Sequence, residues 1–80
     1  MEKWRFDKII VAVREELERA RNKFPKWPKD LIHASAIVSE EVGELIEATL
    51  KYEYEHGTLE KCDEEAVHTI TMGFRFLLKS

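Results

Sequence analysis

The sequence predicts an all-α protein of three helices, and three observations carry this prediction. Apolar residues recur at helical spacing in three stretches, no stretch alternates like a β-strand, and glycines and prolines separate the stretches.

The chain has 80 residues, with 13 Lys+Arg against 16 Asp+Glu, for a formal net charge of -3. This length predicts a single domain over residues 1–80. The charge predicts no polymeric nucleic acid as a partner, because the chain has neither a net positive charge nor a run of Lys and Arg to bind a phosphate backbone.

The first helix is predicted from about residue 4 to residue 24. Its apolar side chains lie along one narrow stripe, which consists of Phe6, Ile9, Ile10, Val13, Leu17, Ala20 and Phe24. Pro25 and Pro28 follow directly, and proline cannot continue a helix. The first helix is therefore expected to end where these prolines begin.

The second helix is predicted from Leu31 to about His56, with Asp30 as its N-cap. One side of this helix is apolar and carries Val38, Val42, Leu45, Ile46 and Leu50. Gly57 and Thr58 then stand in the order expected of a helix C-terminal glycine and the N-cap of the next helix. The second connection is therefore predicted to be tight.

The third helix is predicted from Leu59 to near Lys79. Its main apolar stripe consists of Leu59, Cys62, Ala66, Ile70, Gly73, Phe74 and Leu77. Met72 and Phe76 lie on another side, so this helix is apolar on two faces. One short chain cannot cover both faces, which predicts a four-helix-bundle-like core completed by a homodimer or homotetramer, or a bound aromatic group.

Several classes of protein are excluded or disfavoured by composition. The single Cys62 excludes an intrachain disulfide. No run approaches the roughly 20 apolar residues of a membrane-spanning helix, and the first residues contain no apolar secretory core. We therefore expect a cytoplasmic protein without a membrane partner. No glycine-rich phosphate loop is present, which argues against a P-loop enzyme.

Acidic residues gather on the side of the second helix opposite its apolar side: Glu40, Glu41, Glu44 and Glu47. Glu41 and Glu44 lie one turn apart, so their carboxylates can converge on one cation. A solvated helix face is the ordinary alternative, but Ile37 and Ala48 share this face. Gly43 costs the helix roughly 1 kcal/mol relative to alanine, which predicts a close approach by another helix or by a ligand.

The third helix offers a matching pair of potential ligands. Glu65 and His68 are one turn apart, on the face that Met72 and Phe76 extend. Those two apolar residues fit either subunit packing or contact with a nucleotide base. Taken together, the second and third helices place two pairs of candidate ligands in one chain.

This arrangement resembles a known family signature. Glu40-Glu41-x-x-Glu44 followed by Glu65-x-x-His68 is similar to the Glu-Glu-x-x-Glu … Glu-x-x-Asp pattern of the MazG-like all-α nucleoside triphosphate pyrophosphohydrolases, relatives of the dimeric dUTPases. The resemblance covers roughly residues 31–79. It implies Mg²⁺-dependent hydrolysis of an NTP or dNTP to NMP and pyrophosphate, in the house-cleaning of nucleotide pools. It also implies Glu41, Glu44 and Glu65 as Mg²⁺ ligands, and Glu40 as a member of the same catalytic cluster.

His68 stands where the family has an aspartate. A neutral imidazole is a poorer Mg²⁺ ligand than a carboxylate and removes one negative charge. Three interpretations stay open: weaker Mg²⁺ binding, a preference for Mn²⁺, or a His68 that points elsewhere in a protein without activity. The last of these would leave a metal- or nucleotide-binding module, or a helical association module.

The turn before the second helix supplies candidates for contact with the nucleotide. Lys26, Trp27 and Lys29 lie in or beside the segment bounded by the two prolines, where they can contact a base or phosphates. The alternative is a loop in which Trp27 packs over the helix ends and both lysines are solvated. Arg75 and Lys79 are further possible phosphate partners, but the sequence does not distinguish them from surface charges.

Overall fold

The computed structural model describes residues 4–80, and these form three α-helices and no strand. The helices are α1 (Phe6–Lys23), α2 (Leu31–Tyr54) and α3 (Leu59–Leu78). The all-α prediction is confirmed, and each predicted helix end lies within two residues of the observed one. Residues 1–3 of the predicted single domain lie outside the described part of the chain.

Two side chains cap helices as the sequence predicts. The Asp30 carboxylate accepts a hydrogen bond from the backbone N–H of His33 at 3.1 Å, at the start of α2. The Thr58 hydroxyl accepts one from the backbone N–H of Lys61 at 3.1 Å, at the start of α3. Each cap satisfies a donor that has no acceptor within its own helix, which fixes the residue at which the helix begins.

The role of Gly57 differs from the one predicted. α2 ends at Tyr54 with Glu55 as its C-cap, and Gly57 does not have a positive φ. A Cβ atom at Gly57 would lie 2.8 Å from the backbone of Lys51 and Tyr52. Glycine is required here because the chain folds closely back on the last turn of α2, and not because of a left-handed conformation.

α3 is the central helix. It packs against both α1 and α2, which do not pack against each other. The Cys62 thiol contacts the Ala48 carbonyl of α2 at 3.4 Å, and on the α1 side the Trp4 indole donates to Asp63 at 2.8 Å. The described residues form a flattened body with extents of 38 × 27 × 18 Å. Within it, α3 contacts α1 on one side and α2 on the other.

The buried apolar side chains are few and mostly small: Val13, Ala20, Ala34, Ala48, Cys62 and Met72. Glu65, Thr71 and Arg75 are also buried, whereas Ile70, Phe74 and Leu77 of the predicted α3 stripe are exposed. The chain exposes 6277 Å², whereas a monomeric protein of 9.5 kDa is expected to expose roughly 5,000 Å². A single chain therefore leaves much of its apolar surface uncovered.

Among residues 4–80, no helix combines the length and the apolar character that crossing a membrane would require.

Candidate functional site

Three of the four predicted metal ligands meet between α2 and α3. One donor atom from each of Glu41, Glu65 and His68 lies within 4.8 Å of the other two. Glu65 is 7% exposed, and Glu41 and His68 are half-buried. We call these three residues the acidic centre.

His68 is held between carboxylates from two helices. Its Nδ1 lies 3.2 Å from Glu65 Oε1, and its Nε2 lies 3.5 Å from Glu16 Oε2. Glu16 belongs to α1 and also pairs with Arg19 one turn later. Sequence reasoning missed Glu16, because only the packing of α1 on α3 brings it beside His68 and no local motif signals that contact.

The other oxygen of Glu65 faces a lysine. Glu65 Oε2 lies 3.2 Å from Lys61 Nζ, and the same ammonium lies 3.4 Å from Glu64 Oε2. Hydrogen bonding to Glu65 and the charges of both glutamates raise the pKa of Lys61. The Glu65 carboxylate is therefore engaged on both oxygens within α3 alone.

Glu41 is the acid of the centre without a cationic partner. Its Oε2 is buried, and no donor among residues 4–80 hydrogen-bonds to it. Burial first, then the negative charges of Glu44 and Glu65, raise the pKa of Glu41 from 4.5 to about 7, against the opposing effect of His68. With a pKa of about 7, this carboxyl group is protonated at acidic pH and divides between its protonated and ionised forms near neutral pH, unless a cation arrives.

The remaining predicted acids lie around the centre. Glu44 is exposed and interacts with Glu41 but is not one of the three converging ligands. Glu40 is exposed and, like Glu41, lines a cleft between α1 and α2. No Cβ atom built at Gly43 would meet another atom within 4 Å, so the close approach predicted there is not made within this chain.

A cleft of about 770 Å³ lies over α3, between α1 and α2. Glu41 and His68 line one part of it, and Lys26, Trp27 and Arg75 line another. Met72, which the sequence left open between packing and base contact, is buried and contributes to the lining. Lys29 is exposed and is not among the lining residues. The cleft thus has acidic and basic regions on a partly apolar floor.

Arg75 organises the basic region. It is 2% exposed and donates hydrogen bonds to the Phe24 carbonyl at 2.7 Å and to a Ser80 backbone oxygen at 3.0 Å. Its guanidinium also stacks 4.9 Å from the centre of the Trp27 ring. Burial and the nearby charge of Arg21 lower the pKa of Arg75. The sequence left Arg75 open between a phosphate partner and a surface charge; the structure buries it, and its hydrogen bond to Phe24 ties the proline-bounded turn to α3.

No protein-family model, curated protein or solved structure matches the chain. The similarity to the MazG-like signature therefore consists of the signature residues alone: Glu40, Glu41, Glu44, Glu65 and His68. Chemically, two carboxylates and an imidazole can hold a divalent cation, and the basic region of the same cleft can contact an anion bound to that cation.

Proposed function

We propose that the chain is a Mg²⁺- or Mn²⁺-dependent pyrophosphohydrolase of the MazG-like kind, which cleaves a nucleoside triphosphate to the monophosphate and pyrophosphate. The observation that carries the proposal is the convergence of Glu41, Glu65 and His68 at the side of a cleft. The resemblance of the two acidic motifs to the family signature supports the same reading.

The residues of the acidic centre fit a divalent cation. Ligand atoms about 2.0–2.1 Å from Mg²⁺ lie up to about 4.2 Å from one another, so the observed separations within 4.8 Å need only small side-chain movements. The unpaired oxygen of Glu41 and its raised pKa are what a carboxylate shows when its counter-charge is absent. Carboxylate oxygens suit Mg²⁺, whereas the imidazole of His68 favours Mn²⁺.

The chain supplies the other groups that hydrolysis requires. A bound divalent cation would neutralise phosphate oxygens and lower the pKa of a water molecule. Glu40, on the rim of the cleft, can accept a hydrogen bond from the attacking water and orient it. Glu44 adds negative charge beside Glu41. Lys26 and Trp27, which line the cleft, would contact phosphates or the base.

Homo-oligomerisation completes the proposed fold. The exposed surface exceeds the expectation for a monomer of this mass by about 1,200 Å², and a standard interface buries about 800 Å² per partner. Val42, Ile46 and Leu50 of α2 are exposed, as are Ile70 and Phe74 of α3. A homodimer or homotetramer would cover these side chains and form a four-helix-bundle-like core.

One observation favours a second candidate function. Both ring nitrogens of His68 face carboxylates of this chain, which can hold the imidazole away from a metal ion. The second candidate is a protein without turnover that binds a metal or nucleotide, or a helical association module.

The test is a screen of canonical and modified nucleoside triphosphates with Mg²⁺ or Mn²⁺, in which pyrophosphate is measured separately from orthophosphate. Glu41→Gln should lower pyrophosphate release at least about 100-fold, because it keeps the shape but removes a ligand charge. Glu47→Gln is the control, since Glu47 is exposed on the same helix. Equal loss in both variants, or release of orthophosphate alone, would contradict the proposal.

A further inference from the structure

Lys61 neutralises the most deeply buried acid of the centre. Its ammonium lies 3.2 Å from Glu65 Oε2, while His68 lies 3.2 Å from Glu65 Oε1. A carboxylate as buried as Glu65 needs a counter-charge, because an unpaired charge away from water is strongly destabilising. Lys61 supplies that charge from one turn earlier in α3.

The Lys61 ammonium can separate from Glu65 because the lysine side chain is largely exposed to solvent. Its side chain is 55% exposed, whereas that of Glu65 is 9% exposed. Water can solvate the released ammonium, so the main cost of separating this pair is the buried charge left on Glu65, which a bound cation would neutralise. Glu64, at 3.4 Å from the same ammonium, is exposed and keeps a partner for Lys61 at the surface.

A divalent cation at the acidic centre and the Lys61 ammonium would both interact with the Glu65 carboxylate. Glu65 can ligate a metal ion through either oxygen, but an ammonium at hydrogen-bond distance from one oxygen places a like charge within a few ångströms of the ion. Two cations this close repel each other, and the divalent one gains more from several ligands than the ammonium gains from one. Binding of the cation therefore opposes the contact between Lys61 and Glu65.

We propose that Lys61 is the resident counter-ion of Glu65, and that a divalent cation binds the acidic centre by displacing it. Lys61 thereby sets the concentration of free cation at which the centre fills. The inference rests on the metal site of the proposed function, but it concerns a residue outside the ligand set.

The experiment is calorimetric titration of Mn²⁺ into the full chain and three variants. Lys61→Gln removes the competing charge and should tighten Mn²⁺ binding about fivefold, the upper end of the range for an exposed ion pair. Lys61→Arg keeps a cation at this position and should bind like the unmodified chain. Lys51→Gln removes the same charge from an exposed position on α2 and should also leave the affinity unchanged.

A second measurement separates competition from a structural role. In the presence of a chelator, Lys61→Gln should unfold at a lower temperature than the unmodified chain, and Mn²⁺ should raise its unfolding temperature by more. A residue that only supports the fold would lower the unfolding temperature without tightening Mn²⁺ binding.

The outcomes distinguish the two proposals. If the unmodified chain binds Mn²⁺ and Lys61→Gln binds it equally or more weakly, the role of Lys61 is overturned and the metal site stands. Binding by Lys61→Gln alone supports displacement and contradicts the proposed function of the unmodified chain. Absence of binding in every variant overturns both.

Discussion

The two faces of α3 depart from the pattern of an ordinary amphipathic helix. The face packed inside the chain buries three polar side chains, Glu65, Thr71 and Arg75, beside the apolar Cys62 and Met72. The outward face holds Ile70, Phe74 and Leu77, which are 41%, 40% and 75% exposed. A surface helix usually buries its apolar stripe and exposes its charges. The comparison assigns the proposed cation site to the inner face of α3 and the proposed subunit interface to its outer face.

α2 repeats the contrast. Glu41 is half-buried beside α3, whereas Val42, Ile46 and Leu50 are exposed. Burying charged groups lowers stability, and leaving apolar groups in water forgoes stabilisation of about 25 cal/mol per Å². Both features are understandable if a cation stabilises the inside and a second chain covers the outside.

The largest expected effect is on the outer face. Phe74→Asp places a charge in the proposed interface and should weaken self-association at least about 100-fold, as loss of a central aromatic residue does in other interfaces. Analytical ultracentrifugation over a range of concentrations measures this. Val11→Asp is the matched control, because Val11 is an exposed apolar residue on α1 and not on the α2 and α3 faces of the proposed interface. A chain that sediments as a monomer before any substitution would contradict the interface.

A smaller effect is expected at the ligand that departs from the family signature. His68→Asp restores an oxygen ligand and a negative charge, and should tighten Mg²⁺ binding about tenfold while reducing the preference for Mn²⁺ over Mg²⁺. Calorimetry with both ions measures this change. His33→Asp, at an exposed position early in α2, should leave both affinities unchanged. Equal or weaker Mg²⁺ binding by His68→Asp would remove position 68 from the ligand set.

The smallest expected effect concerns Glu41 and pH. Its pKa is raised from 4.5 to about 7, so the folded chain holds a proton that the unfolded chain releases. The free energy of unfolding of the metal-free protein should therefore fall as pH rises from 4.5 through 7 and then level off. Because Glu41 is partly exposed, solvent screening limits the loss to about 1 kcal/mol.

Urea unfolding at pH 5 and pH 8, with a chelator present, measures this difference. Glu41→Gln should flatten the pH dependence and make the metal-free protein more stable at pH 8, although it removes a ligand. If Glu41→Gln keeps the pH dependence of the unmodified chain, another group is responsible for it.

Local signals allowed the helices to be predicted. Asp30 and Thr58 cap where they were expected to, since capping depends only on residues within one turn. The pairing of Glu65 with His68 was also predictable, because residues one turn apart share a helix face. Their convergence with Glu41 was expected only from the resemblance to the family signature.

Contacts between helices could not be predicted in the same way. Glu16 and Arg75 reach their partners only through the packing of α1 and its following turn on α3. Periodicity showed that α3 has two apolar sides, but it could not show which side the chain itself would cover. The role of Gly57 depends on a close backbone contact that composition does not encode.

The most direct test of the central claim is the stoichiometry of Mn²⁺ binding, followed by electron paramagnetic resonance. We predict one tightly bound ion per chain, a weakening of at least about 30-fold in Glu65→Gln, and no change in Glu60→Gln, an exposed acid near the start of α3. The same Mn²⁺ affinity in Glu65→Gln as in the unmodified chain would contradict a cation site at Glu41, Glu65 and His68.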